Sequence, residues 1–269
     1  MNQHPIGNHP AIGIAAWSFH KRFFTKTMDY PQFFAAVRGL GVNQVELNSP
    51  FFEYLEAGYI QSIKDAADHY GVRIINIAID DHGFDLSAVD EANRQEAVRR
   101  TVEWLDAAVV LDCPHVRNNS GGQNLNQCIS SFTALAGEAK ARDRKMVIEA
   151  HGGFSSDADQ IGPLIEAVSL EHPGYIGLIP DFGNVAVTAA LDRYQQIQRM
   201  APYAMLVHPK MHDFDEHGQQ PEWDTARLVE SIVLTGFRGP WVIEFEGHNE
   251  DEFSGLRKSI NLLSKCLRA

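Results

Sequence analysis

The sequence predicts one α/β domain, a single (β/α)₈ TIM barrel over residues 11–269 preceded by an amino-terminal tail at residues 1–10. Three observations carry that expectation. Short apolar runs alternate with amphipathic stretches at roughly 30-residue intervals, the spacing of strand and helix units. No Pro/Ser-rich linker, low-complexity run or internal repeat divides the chain. Four consecutive late runs end on groups that carry chemistry: MVIE on Glu149, GLIPD on Asp181, AMLVH on His208 and WVIE on Glu244.

Each element has a local cause. Ala11 to Ala16 (AIGIAA) reads as the first strand, and the aromatic turn WSFHKRFF leads into a helix from about Tyr30 to Leu40 that Gly41 ends. Val42 to Leu47 is the second strand, closing near Glu46 and Asn48. The next helix, Gly58 to Tyr70, stops at Gly71, the residue type best suited to a left-handed cap. Val72 to Ile79 is the third strand, after which Asp90 caps a long helix to about Val110. His115 to Asn118 is the fourth, followed by the loop NNSGGQ and a helix from Leu125 to Arg142. MVIE is the fifth strand, Asp157 or Asp159 starts a helix to Leu170, and Tyr175 to Ile179 is the sixth. A helix from Thr188 to Met200 leads to a seventh strand at Ala204 to Lys210. Another from Asp224 to Leu234 leads to an eighth at Trp241 to Gly247, and Glu250 to Leu267 closes the chain.

An open doubly wound sheet shows the same alternation, so the polar groups must separate the two folds. All strands of a barrel end at one mouth, whereas an open sheet carries groups on successive strands away from its switch point. The four groups are 32, 27 and 36 residues apart, one repeat each. Residues two apart on a strand share a face, so Val147 points inward with Glu149, Leu206 with His208, and Val242 with Glu244. Glu246 shares that face one layer further out. Glu244 is therefore the expected ligand and Glu246 a rim residue.

Composition removes several classes of function. A formal charge of −12 gives no general attraction for nucleic-acid phosphates or anionic lipid. Three cysteines without close pairs fit neither a zinc module nor a disulfide framework, which points to a reducing cytoplasm. No run approaches the roughly 18 apolar residues of a membrane span, and the amino terminus reads as no targeting segment. A cytoplasmic protein with neither nucleic-acid nor membrane partners is expected. Assembly into a homo-oligomer is compatible with the sequence but not specified by it.

The segments IEAHGG, PDFGN, VHPK and IEFEG resemble the metal-binding strand ends of the xylose isomerase-like barrel superfamily, the sugar phosphate isomerase/epimerase group, and IGIAAWSF extends the likeness to the first strand. The resemblance implies one divalent metal ion on Glu149, Asp181, His208 and Glu244. Three carboxylates and one imidazole form a hard donor set that favours Mn²⁺, Mg²⁺ or Co²⁺ and admits Zn²⁺. It further implies a small-molecule sugar or polyol substrate. The expected function is a metal-dependent isomerase or epimerase of a sugar or keto-sugar, abstracting a proton next to a metal-bound carbonyl and passing through an enediolate. Glu149 and Glu244 are the catalytic pair in that scheme. The alternatives are a metal-dependent dehydratase of an inosose or related keto-polyol and a non-catalytic sugar-binding barrel.

Other candidates surround that group, each with a bland competitor. His151 orients substrate or caps its loop. Lys210 is similar to the lysine the superfamily places beside substrate oxygen, or is a solvated rim group. Glu46 and Arg117 end the second and fourth strands inwardly and bind hydroxyls or pair with neighbouring charges. Trp17 and Phe19 form an apolar wall or belong to the core. Asp80, Asp81 and His82 read first as loop residues, and His212 and His217 as parts of a polar loop. The chain lacks the additional histidines and basic groove of endonuclease IV relatives. Sparse Arg and Lys near NNSGG and HGG favour a non-phosphorylated substrate.

Overall fold

The computed structural model describes residues 12–80 and 83–268. The expected tail at 1–10, and with it Ala11, Asp81 and His82, lies outside the described residues. Seven short parallel strands form the sheet: β1 (Ile12–Ala15), β2 (Gln44–Asn48), β3 (Arg73–Ala78), β4 (His115–Asn118), β5 (Lys145–Glu149), β6 (Ile176–Ile179) and β7 (Trp241–Ile243). Their order is β6-β5-β4-β3-β2-β1-β7. Most of their residues are buried, because helices cover one side and the interior fills the other. The helices are α1 (His20–Phe24), α2 (Tyr30–Gly39), α3 (Ala57–Tyr70), α4 (Glu91–Val110), α5 (Leu125–Ala141), α6 (Ala158–Glu171), α7 (Arg193–Met200), α8 (Thr225–Val233) and α9 (Glu252–Cys266). The Asp90 and Asp224 caps form as expected, accepting from Asn93 N and Arg227 N. Gly71 adopts φ +63° at the end of α3.

Two expectations are corrected. The seventh strand is not regular: residues 204–211 meet β6, β7 and the residues just beyond them only through isolated parallel bridges, Leu178 with Ala204, Asp181 with His208, Val207 with Trp241 and Met211 with Phe245. Pro180, Pro209 and Pro240 interrupt this zone, and a proline has no N–H to give a ladder. Eight regular strands closing a barrel therefore become a seven-stranded sheet whose edges are joined by a bridged segment. The helix expected from Thr188 begins at Arg193, because Asp192 makes a capping box with Gln195. Thr188 Oγ1 instead accepts from Leu191 N in a preceding turn.

Two apolar cores result. The larger lies between sheet and helices and includes Phe33, Leu105, Phe132, Leu164 and Leu263. The smaller is the interior itself, a layer of Ala15, Ile75, Val147, Ile179, Leu206 and Val242. Burying a side chain such as Leu206 there contributes about 1.5–3 kcal/mol. This layer contains the inward residues expected from alternation. One pleat nearer the carboxyl ends come Glu149, Asp181, His208 and Glu244, and the apolar layer is the floor on which they stand.

Candidate metal centre and cavity

The four strand-end groups converge. Glu149, Asp181, His208 and Glu244 each offer a donor atom, all within 4.8 Å of one another, and all four residues are buried. His208 Nδ1 lies 2.9 Å from Glu149 Oε1, 3.8 Å from Asp181 Oδ2 and 3.9 Å from Glu244 Oε1. Asp181 Oδ1 accepts from Gly183 N and Asn184 N at 2.7 and 2.8 Å, which fixes the carboxylate and turns Oδ2 toward the cluster. That buried Oδ2 has no hydrogen-bond partner. An unsatisfied buried carboxylate oxygen amid three other donors fits a divalent cation, since burying such a group unpaired is costly.

The first half of the chain braces this cluster. Glu46 Oε2 lies 2.9 Å from His208 Nε2 and accepts from Asn76 Nδ2 at 2.7 Å, so Glu46 is directed at the histidine rather than at the cavity. Arg117 Nη2 lies 2.5 Å from Glu149 Oε2, and its Nη1 reaches Asp80 Oδ1 at 2.6 Å and Ile79 O at 3.0 Å. Both residues end inward as expected, and both pair with neighbouring groups. Sequence reasoning ranked Asp80 as a loop residue and did not single out Asn76 at all.

Above the cluster opens a cavity of about 360 Å³, whose wall includes Trp17, Phe24, Arg117, His151, Lys210 and Glu246. Lys210 Nζ sits 3.1 Å from Glu244 Oε2 and 3.4 Å from Glu246 Oε1. Trp17 Nε1 donates to Glu246 Oε1 at 2.5 Å, which presents the indole to the cavity. Phe19 is fully buried among core aromatics and takes no part in the wall. The His151 loop is held by close approach: a Cβ at Gly153 would fall 1.8 Å from Gly121 O. His212 pairs with Glu222 and stands outside the cluster.

The buried charges polarise one another unequally. Burial by itself raises the Glu149 carboxyl, but Arg117 and then His208 outweigh it and hold the group well below the usual range. Burial pushes Glu244 up to about 8, with Lys210 only partly opposing it. Burial likewise raises Asp181, to about 6. Burial disfavours charged His208, yet Glu46 and Glu149 draw it well above its ordinary value. Crowded carboxylates of this kind are an electrostatic socket for a cation.

Residues 34–266 match the xylose isomerase-like TIM barrel family, and the chain belongs to it. Among solved structures it superposes on the D-allulose 3-epimerase from Methylomonas sp. with TM-score 0.75 and 12% identity, covering 96% of this chain and 98% of that one. A xylose isomerase-like TIM barrel protein from Mycobacterium smegmatis, in complex with magnesium, gives TM-score 0.70 and 16% identity, with 98% and 100% covered. These identities show a shared fold. A 47-residue stretch is 43% identical to the C-glycoside deglycosidase alpha subunit of Arthrobacter globiformis, a match spanning 18% of this chain and only 13% of that subunit.

Proposed function

We propose that this protein is a divalent-metal-dependent epimerase or isomerase of a sugar or keto-sugar. The observation that carries this reading is the set of four buried donors within 4.8 Å at the base of a sugar-sized cavity. Glu149, Asp181, His208 and Glu244 would hold the ion. When bound, a divalent cation supplies Lewis acidity that favours negative charge on a substrate carbonyl as its neighbouring C–H is deprotonated.

The side chains divide the remaining work. Glu149 and Glu244 are the proton-transfer pair. Glu149 is fixed through both oxygens by Arg117 and His208, whereas Glu244 carries Lys210 on Oε2. Arg117 and Asp80 keep the first carboxylate from rotating. Lys210 and His151 line the cavity and can donate hydrogen bonds to substrate oxygens, and Trp17 and Phe24 give it an apolar side. The likeness to an allulose epimerase of nearly full length supports the sugar reading.

The test is solvent exchange. With keto-sugars in D₂O, the metal-loaded protein is expected to place deuterium at the carbon next to the carbonyl, detected by NMR. Glu149→Gln and Glu244→Gln, each with metal occupancy verified, should lose about 10²- to 10⁴-fold in exchange. Near wild-type exchange in both variants would remove the glutamates from the proton path. A dehydratase is the second reading, favoured by Lys210 and His151 as cavity-facing donors to a departing hydroxyl. Loss of water from an inosose, seen as a new absorbance, distinguishes it.

A further inference from the structure

Resting on the sugar reading above, we infer that Asn48 is a positioning residue for the proton-transfer step, a side chain that joins the cavity wall at Trp17 to the carboxylate of Glu149. Asn48 ends β2, is 1% exposed and itself lines the cavity. Its amide is used at both ends. Oδ1 accepts from Trp17 N at 3.0 Å, and Nδ2 donates to Asp80 Oδ2 at 3.4 Å. Tyr30 OH donates to Asn48 O at 3.1 Å and holds the backbone beneath.

From Asp80 the contacts run on to Glu149. Asp80 Oδ1 pairs with Arg117 Nη1 at 2.6 Å, and Arg117 Nη2 pairs with Glu149 Oε2 at 2.5 Å. A guanidinium is a rigid planar fork, so turning one side of it turns the other. The orientation of Asp80 therefore sets that of the group holding Glu149. The end of β2 fixes Asp80 twice: Ser49 Oγ accepts from its backbone N at 2.8 Å, and Asn48 takes the carboxylate oxygen opposite the one on Arg117. Such placement matters, because a misplacement of about 1 Å at a reacting group costs on the order of 100-fold in rate.

The two ends of the Asn48 amide do separable jobs. A residue needed only to close the end of β2 must accept from the Trp17 N–H, and an aspartate of the same shape does so. The donor toward Asp80 is what asparagine adds. A carboxylate at position 48 would face a second buried carboxylate, and their repulsion would move Asp80 on Arg117. Asp80→Asn breaks the same link from the other side, since its oxygen stays with Arg117 and its amide nitrogen then meets the Asn48 nitrogen.

The experiment is a two-by-two cycle of the metal-loaded full chain: wild type, Asn48→Asp, Asp80→Asn and the exchanged pair carrying both. Deuterium uptake from D₂O into a panel of pentuloses and hexuloses, D-fructose and D-tagatose among them, is followed by NMR at pH 8, above the ordinary aspartate pKa of about 3.9. Calorimetry gives metal affinity. Each single change should lower kcat for exchange by roughly 10–100-fold, the range for a residue behind a metal ligand, with KM for the sugar near its wild-type value. Metal affinity should fall less than kcat, because Asp181, His208 and Glu244 keep their places. The exchanged pair again sets one donor against one acceptor and should regain most of the loss. If one single variant fails to fold, as circular dichroism would show, the other and the exchanged pair complete the comparison. Losses that add in the exchanged pair, a loss confined to KM or to metal affinity, or near wild-type kcat in Asn48→Asp overturns the inference and leaves the sugar reading intact. No uptake by the wild type into any sugar of the panel overturns both.

Discussion

The two halves of the chain contribute differently to one site. From β5 onward, the ends of β5, β6 and β7 and the bridged segment 204–211 deliver Glu149, Asp181, Glu244 and His208 to a common point. The β1 to β4 half delivers no member of that cluster. It supplies the brace on His208 through Glu46, the brace on Glu149 through Arg117, and the cavity wall through Trp17. The lesson is that donors and their geometry are separable: one half provides the chemistry and the other holds its shape. Substitutions in the two halves should therefore change different measurements.

The largest effect is expected in the second half. Asp181→Asn keeps an oxygen for the Gly183 and Asn184 amides but removes a charge from the cluster. Metal affinity should fall more than about 100-fold, beyond the roughly 10–100-fold typical of outer partners. Circular dichroism and Tm without metal should be nearly unchanged. Retained affinity would take Asp181 off the metal.

Next comes Glu46→Gln in the first half. The amide can still bond His208 but cannot supply the charge, so the imidazole loses part of its orientation and basicity. Metal affinity should fall by roughly 10–100-fold, the range for a carboxylate behind a ligating histidine. A loss as deep as that of Asp181→Asn would erase the distinction between the halves. No loss would reduce Glu46 to a structural residue.

The same division explains what was legible in the sequence. Inward alternation at Glu149, His208 and Glu244 follows from the two-residue period of a strand, and the apolar layer of Val147, Leu206 and Val242 beneath them agrees with it. The bracing was not legible, because Glu46 and His208 are 162 residues apart and Asn76 sits on a strand that breaks its own period. The register shifts between Val45 and Glu46, so Ile75 packs into the inner layer while adjacent Asn76 also reaches the interior to bond Glu46. Asp80 read first as a loop residue, since its ion pair with Arg117 forms only through the folded approach of a strand 37 residues away. The irregular segment 204–211 was legible as apolar, but its Pro209 and the neighbouring Pro180 and Pro240 acted on hydrogen bonding rather than on location.

A smaller effect should separate the wall from the metal. Trp17→Leu removes the donor to Glu246 and the flat face beside the cavity. Sugar binding should weaken by about 0.5–1.5 kcal/mol, roughly two- to tenfold, while metal affinity stays as in the wild type. Loss of metal binding would show that the first half acts on the cluster through its wall as well.

The smallest effect concerns His115, which starts β4 far below the mouth and places Nδ1 2.9 Å from Ile75 O. Burial lowers its pKa to about 4, with the backbone hydrogen bond opposing and Lys145 assisting. The folded form therefore holds the ring neutral where an unfolded histidine, near 6.5, would take a proton. Above about pH 6.5 neither state binds that proton and the contribution to stability is complete. As pH falls from about 6.5 toward about 4, the unfolded state gains the proton first and stability declines with at most a one-proton slope. His115→Gln should unfold more easily at pH 7 than the wild type, and the gap between them should narrow by pH 5. Urea midpoints of the metal-free proteins at the two pH values measure it, since the clustered carboxylates are common to both chains. A gap that stays constant would mean that His115 contributes packing alone, and that the lower half of the interior has no part in the pH response of the fold.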